Sequence, residues 1–311
     1  MAPSDKRVRE IHKNSRVIAR RYRVDKPRSF RLKDIDPGDT MGLKLRKQAK
    51  EILAEGVELM RDLQEKLYAQ DRRAVLLIFQ AMDAAGKDDT IEHVMSGVNP
   101  QGCEVHSFKG PSAAELDHDF LWRTNTKLPE RGRIGIFNRS YYEETLVVRV
   151  HPEILGAQKL PPDLVTKRIW KERFEDINAL ESYLTRNGTV IRKFFLHVSH
   201  AEQKARFLAR IDEPAKNWKF SLADARERRC WKDYMAAYED MIRHTSTPEA
   251  PWYVIPADNK WFTRMAVAAV IVDTLESLDL AFPQVTKEQR RDLERARREL
   301  LAERKGGKKG R

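Results

Sequence analysis

The sequence predicts an α/β domain built on a parallel β-sheet. Three observations lead there. Ala74-Val75-Leu76-Leu77-Ile78-Phe79 is an apolar run without charge, the mark of a central strand covered on both faces. A loop of small residues ending in Gly86-Lys87 follows, and Thr90-Ile91-Glu92-His93-Val94-Met95 then reads as a helix. Four further strand patterns, at 103–108, 133–137, 189–198 and 251–256, alternate with helical ones. No internal repeat and no strong internal linker interrupts them. One domain is therefore expected, 41–283, with a basic N-terminal arm over 1–40 and a charged tail over 284–311.

In order along the chain, residues 1–33 are strongly basic, with Arg20-Arg21-Tyr22-Arg23 at their centre. Pro27 and a broken apolar pattern argue against a stable element there, and an arm on the surface of the domain or of a partner subunit is expected. Pro37-Gly38-Asp39 is a turn. Over 43–69, Leu45, Ala49, Ile52, Leu53, Leu59, Leu63 and Leu67 recur at helical spacing. After the second strand, Ser112-Ala113-Ala114-Glu115 is a capping box that opens a helix. The third strand runs into Asn138-Arg139-Ser140-Tyr141-Tyr142-Glu143-Glu144, which starts another helix. Residues 164–185 read as helix after Pro161-Pro162-Asp163, and Gly188 ends that element. Ser199-His200-Ala201-Glu202 is a second capping box, and its helix carries Arg206 and Arg210 one turn apart. A basic-aromatic linker, Lys216-Asn217-Trp218-Lys219-Phe220, leads to a helix capped at Ser221 and holding Trp231, Tyr234 and Tyr238, which are expected in the core rather than as a base-stacking platform. Residues 260–280 are an amphipathic helix. From Thr286 the chain is charged, with a helix as an open alternative, and Gly306–Gly310 has the composition of a disordered tract.

A strand, a small-residue loop ending in Gly-Lys and a helix together form a way of holding phosphate. Backbone N–H groups and the dipole at the helix start favour an anion, and the lysine adds a point charge. The phosphate-loop rule G-x-x-x-x-G-K-[ST] is met imperfectly: Ala81 stands for the first glycine and Asp88 for the hydroxyl. Carboxylates in place of the hydroxyl suit a metal held by Asp83, Asp88 or Asp89. The alternative is a turn glycine and a surface lysine. For Asp83 the alternative is a loop aspartate bonding backbone N–H groups. Lys109 and the 138–144 segment end strands of a parallel sheet, so they should flank the loop. Arg139 suits phosphate as a fork; Glu143 and Glu144 could equally be first-turn acids. Arg206, Arg210, Lys216 and Lys219 read either as a mobile basic lid or as a solvated face.

Composition narrows the function. The 311 residues carry a net charge of +12, with 41% hydrophobic and 34% charged residues. This favours a polyanionic partner. No apolar run approaches a membrane span, no secretory signal is expected, and two cysteines, Cys103 and Cys230, are too few for a disulfide framework. Both are expected as buried thiols in a reducing cytoplasm.

These residues together resemble the polyphosphate kinase 2 family. The carrying motifs are Asp83-Ala84-Ala85-Gly86-Lys87-Asp88 as Walker A, Asn138-Arg139-Ser140-Tyr141-Tyr142-Glu143 as Walker B, and Arg206 through Asp224 as the lid. Met95 through Gly102 is similar to the family as well, and the resemblance covers about residues 30–280. It implies a P-loop kinase of thymidylate-kinase-like fold: a five-stranded parallel sheet, flanking helices and a helical lid near 200–225. It also implies transfer from inorganic polyphosphate to a nucleotide (ADP, and AMP with ATP as end product), a bridging Mg²⁺ with Mn²⁺ as substitute, and a homodimer or homotetramer. No membrane or nucleic-acid partner is expected. Catalysis would fall to Asp83, Lys87, Asn138, Arg139 and Glu143, with metal at Asp83 and Glu143. Phosphate and nucleotide would meet Ala84, Ala85, Gly86, Lys87, Asp88, Lys109, Arg133 and Tyr142. Polyphosphate would meet Arg206, Arg210, Lys216, Lys219 and Asp224. Asn138 departs from the Asp-Arg-Ser form of many members, and with Glu143 it resembles the class III subgroup, which acts on AMP and ADP. Two other readings stand beside this one: an ATP-using nucleotide kinase of the same fold, and a basic nucleic-acid-binding protein with a degenerate phosphate loop.

Overall fold

The computed structural model describes residues 5–43 and 46–306. Leu45 and the side chain of Ala49, both assigned to the first long helical stripe, lie outside the described residues, as does the tract after Gly306. Helix α1 (Asp5–Tyr22) comes first, then α2 (Arg46–Gln70), β1 (Ala74–Ala81) and α3 (Lys87–Met95). After β2 (Cys103–Ser107) come two single turns, α4 (Ala113–Leu116) and α5 (Trp122–Asn125). Next are β3 (Ile134–Asn138), α6 (Glu143–Val150), α7 (Ile169–Arg186), β4 (Thr189–His197) and α8 (His200–Asp212). The last elements are α9 (Leu222–Glu227), α10 (Trp231–Thr245), β5 (Trp252–Pro256), α11 (Lys260–Glu276) and α12 (Lys287–Gly306).

All five strands are parallel, in the order β2-β3-β1-β4-β5. Every residue of β1 is buried, as its apolar run requires, and Phe79 stacks on Phe194 of β4 at 4.8 Å. From β1 the chain goes out to β2 and returns through β3, then builds β4 and β5 on the other side. The carboxyl end of β1 is thus the switch point, where open α/β sheets bind ligands. β2 is a half-exposed edge, whereas β5 is wholly buried. The β5 edge is covered by the chain after α1: the Val24 N–H donates to the Trp252 carbonyl at 2.9 Å, and Arg23 bridges Tyr253 antiparallel.

Residues 5–22, expected to have no stable element of their own, are a helix. Ile11, Ile18, Ala19 and Tyr22 recur on one face and are buried, with α1 packed on α11. Burying such side chains is worth about 1.5–3 kcal/mol each for the larger ones, so tertiary contact holds a helix whose remaining face is basic. α11 is apolar nearly all round because it sits among α1, α2 and α3. The helix expected from residue 164 starts at Ile169, after a 3₁₀ turn over Pro162–Leu164. Of the two capping boxes, Ser112 and Glu115 form a complete one. Ser199 accepts from the Glu202 N–H at 3.1 Å, but the Glu202 carboxylate accepts from Arg206 instead.

Residues 281–311 form a separate unit, carrying α12. Thr286 and Gln289 cap its start reciprocally, at 2.9 and 3.2 Å. No helix among the described residues is long and apolar enough to cross a membrane.

Candidate active site

The turn from β1 into α3 is made by Ala84 and Gly86, both at positive φ (59° and 101°). A side chain at residue 86 would be strained there, which is why a glycine precedes the lysine. Lys87 is the first residue of α3, and its Nζ donates to the Ala81 carbonyl at 2.9 Å. The end of β3 makes a matching turn. Arg139 also sits at positive φ (65°), while its N–H donates to the Phe79 carbonyl at 3.0 Å. Strained non-glycine backbone of this kind is held in place by its surroundings and clusters at functional sites.

These two turns bring four charged side chains together. Arg139 reaches Asp83 at 3.2 Å and Glu143 at 3.7 Å. Burial pushes the Lys87 ammonium down, helped by Arg139 and opposed by Asp83, Glu143 and Asp88. Burial pushes the Glu143 carboxyl up, and Asp83 adds to that; Arg139 and Lys87 oppose it. Burial works against the charge on Arg139 too, but Glu143 and Asp83 outweigh it and hold the group above its usual value. Two cations and two carboxylates are thus gathered at the switch point.

Behind them lies a buried polar brace. Lys193 of β4 and Glu181 of α7 pair at 2.5 Å, fully out of solvent. Glu181 also accepts from the hydroxyls of Tyr141 and Tyr142 at 2.9 and 2.8 Å. Tyr141 and Tyr142 join Arg139 to Glu143, so the brace fixes that segment from behind.

Two clefts open on this cluster and share Arg139 and Glu143 as a common wall. One is lined by Lys109, Phe120, Arg123, Tyr141 and Val148. The other runs over the phosphate loop and is lined by Asp83, Asp224, Glu227, Tyr234 and Tyr238.

The chain matches the family model for polyphosphate kinase 2 over residues 43–283. An ADP-polyphosphate phosphotransferase of Rhodopseudomonas palustris is 58% identical over 252 residues, covering 81% of this chain and 87% of the relative. An AMP/ADP-polyphosphate phosphotransferase of Meiothermus ruber is 45% identical over 266 residues, covering 85% and 96%. The crystal structure of polyphosphate kinase 2 from Arthrobacter aurescens TC1 superposes with a TM-score of 0.83 at 38% identity, covering 92% of this chain and 96% of that one. The chain belongs to the polyphosphate kinase 2 family.

Against the motifs that carry a polyphosphate kinase 2, the structure brings Asp83, Ala84, Ala85, Gly86, Lys87, Asp88, Asn138, Arg139 and Glu143 to one place. The Asn138 amide donates to Asp88. Asp89, the third acid of the loop, pairs with Arg264 at 2.6 Å instead. Lys109 lines the first cleft with its carbonyl accepting from Arg123 at 2.6 Å. Asp224 faces the cluster across the second cleft; burial and Asp83 push its carboxyl up, and Arg210 lies 3.8 Å away.

Five residues expected at the site make other contacts. Arg133 precedes β3 and lies at the amino end of the sheet, its guanidinium over the Tyr68 ring at 4.9 Å, so it is remote from the phosphate loop. Tyr142 is wholly buried in the brace, its hydroxyl donating to Glu181 and accepting from Lys193, with no face left for a nucleotide. Arg206 is buried as well. It donates to the carbonyls of Ala84 (3.1 Å), Ala85 (2.7 Å), Ala257 (2.6 Å) and Asp258 (3.1 Å), so it clamps the phosphate loop to the end of β5. Lys216 pairs with Glu213 and Lys219 lies over Trp218, itself 78% exposed. Among the described residues no ion pair joins either lysine to the loop.

Sequence reasoning missed Gln203, Lys260 and Arg264. Gln203 donates to the Asp83 carbonyl at 2.9 Å, a second hold of α8 on the loop. Lys260 and Arg264 start α11 and face Asp89. Their signal was available: they follow the end of β5 as Lys109 follows β2.

Proposed function

We propose that the chain moves the terminal phosphoryl group of inorganic polyphosphate onto ADP, and onto AMP, reversibly. Arg139 and Glu143 as the wall shared by two clefts, with Asp83 and Lys87 next to them, are the observation that carries this reading. A transferred phosphoryl group needs a donor on one side, an acceptor on the other and positive charge between them. The cleft at Lys109 and Arg123 would take the nucleotide, and the cleft under the lid would take polyphosphate. The acceptor oxygen attacks the terminal phosphorus, the bridging P–O bond breaks, and a chain one phosphate shorter leaves. Lys87 and Arg139 neutralise charge on the transferred group, and Arg206 and Gln203 hold the loop that carries Lys87. Glu143 would orient the acceptor.

The donor set fits a hard divalent cation, since Asp83 and Glu143 offer carboxylate oxygens and the burial cost on Glu143 is what a cation would relieve. Mg²⁺ or Mn²⁺ held there would neutralise and align the phosphates. The relatives named for ADP and for both AMP and ADP support nucleotide acceptors and the class III reading.

The same proposal takes 41–283 as the phosphotransferase domain with its lid near 200–225, between an arm over 1–40 and a tail over 284–311; the family match over 43–283 supports it. A homodimer or homotetramer rests on the resemblance. A cytoplasmic setting rests on the two free thiols, Cys103 and Cys230. Protein mixed with polyphosphate, ADP and Mg²⁺ should give ATP. ATP formation without polyphosphate, or none at all, overturns the proposal.

A further inference from the structure

A second group of ligand-bearing side chains lies beneath the lid, and phosphoryl transfer makes no use of it. His151 follows the last turn of α6, Glu227 ends α9, and Cys230 lies in the 3₁₀ turn that leads into α10. One ligand atom from each lies within 4.8 Å of the other two. His151 Nε2 is 2.8 Å from Glu227 Oε2. All three residues are half-buried and so in reach of ions.

The partners around these atoms suit a metal site. The other imidazole nitrogen, His151 Nδ1, is 3.4 Å from the Glu153 carboxylate. Without a cation, Nε2–H donates to Glu227; a bound cation would take that proton's place while a proton on Nδ1 faces Glu153, the carboxylate–histidine arrangement typical behind metal ligands. The Tyr234 hydroxyl donates to the same oxygen, Glu227 Oε2, at 2.9 Å. Glu227, Asp233 and Glu153 surround the Cys230 sulfur with negative charge. Of the two arginines that flank Glu227 in sequence, Arg226 and Arg228, Arg228 is engaged with Gln203 at 2.6 Å and the His200 carbonyl at 3.2 Å.

We propose that His151, Glu227 and Cys230 bind Zn²⁺, or another borderline-soft divalent cation, as a three-ligand site with a fourth position open to water. Imidazole, carboxylate and thiolate are the zinc donor set, whereas Mg²⁺ takes oxygen ligands alone. Bond lengths of about 2.0–2.3 Å place tetrahedral ligand atoms roughly 3.3–3.7 Å apart, so side-chain rotations of about 1 Å close the present spacing. The thiol gives up its proton to solvent on binding. A cation here joins the end of α6 to the stem of the lid, on the wall of the cleft that also holds Asp83 and Arg139.

The test does not depend on phosphoryl transfer. The full chain is titrated with Co²⁺ in excess Mg²⁺, and the near-ultraviolet thiolate-to-cobalt charge-transfer band is followed. One equivalent should saturate the band, and Zn²⁺ should displace it. Cys230→Ser should abolish the band, His151→Ala should weaken Co²⁺ binding at least tenfold, and Cys103→Ser should change neither. Absence of the band, its survival in Cys230→Ser, or its loss in Cys103→Ser overturns the proposal. In that case His151 and Glu227 are a hydrogen-bonded pair and nothing more.

Discussion

Lys87 and Arg206 meet the same loop with the same charge, yet their hydrogen bonds differ in kind. Lys87 spends one proton on one carbonyl, whereas Arg206 spends its fork on four. Lys87→Ala should therefore cost turnover about 100- to 1,000-fold, the scale of a lost charge-stabilising donor, while the denaturation midpoint stays near that of the parent. Near-normal turnover would remove Lys87 from the chemistry. Arg206→Ala strands buried carbonyls and should cost about 3 kcal/mol of stability, read by urea unfolding. Arg210→Ala leaves the loop intact; it should raise the KM for polyphosphate and flatten its salt dependence, as losing a contact to a polyanion does. If Arg206→Ala unfolds at the parent's midpoint, its carbonyl bonds hold nothing. The loop from Asp83 to Asp88 was legible because strand, small residues and helix follow one another within a few positions. The task of Arg206 was not, since a sequence does not show whether a guanidinium faces substrate or backbone. Arg133 misled for a related reason: a strand has two ends, and only the carboxyl end faces ligand.

Among the elements, strands were the easier part, because β1 and β3 are buried on both faces and read as unbroken apolar runs. α1 was not legible: its stripe is thin and set in arginine and lysine, and it becomes a helix through α11. That contact has a titratable seam. Glu276, at the end of α11, lies against His12 and near Asp273, and burial followed by Asp273 raises its carboxyl to about 7. Unfolded, it titrates near 4.3. Between those values the folded chain binds more protons than the unfolded one, so stability falls as pH rises through that window. His12, pushed down by burial and Arg16, acts in the opposite sense, so the informative quantity is the difference between variant and parent. Glu276→Gln should stabilise the protein by on the order of 2 kcal/mol at pH 8 and by little at pH 5. Equal effects at the two pH values, by thermal unfolding, would leave the seam without a titrating carboxylate.

For the molecule as a whole, Asp83, Lys87, Arg139 and Glu143 all belong to the unit over 1–280. Deleting residues 287–311 should leave turnover per site nearly unchanged; a large loss would mean that the segment completes a subunit contact or the polyphosphate path. The acceptor range is the sharper question. AMP is shorter than ADP by one phosphate, so a base held in one place presents its acceptor oxygen farther from Lys87. An uncharged Asn138 repels phosphate less than an aspartate would, which is one way to admit both registers. In the structure its amide donates to Asp88 of the phosphate loop. On the proposed assignment of the nucleotide to the cleft of Lys109 and Arg123, the two registers would be accommodated there, along the wall formed by Arg139 and Glu143. With AMP as sole acceptor, polyphosphate and Mg²⁺ should give ADP first and ATP after it in a time course. An inert AMP beside a reactive ADP would end the class III reading. Asn138→Asp sets a second carboxylate against Asp88 at the start of α3, so it should slow transfer to AMP and to ADP by the same factor. A changed ratio between the two nucleotides would instead put residue 138 at the acceptor, and the fork of Arg139 would no longer be the group that both registers share.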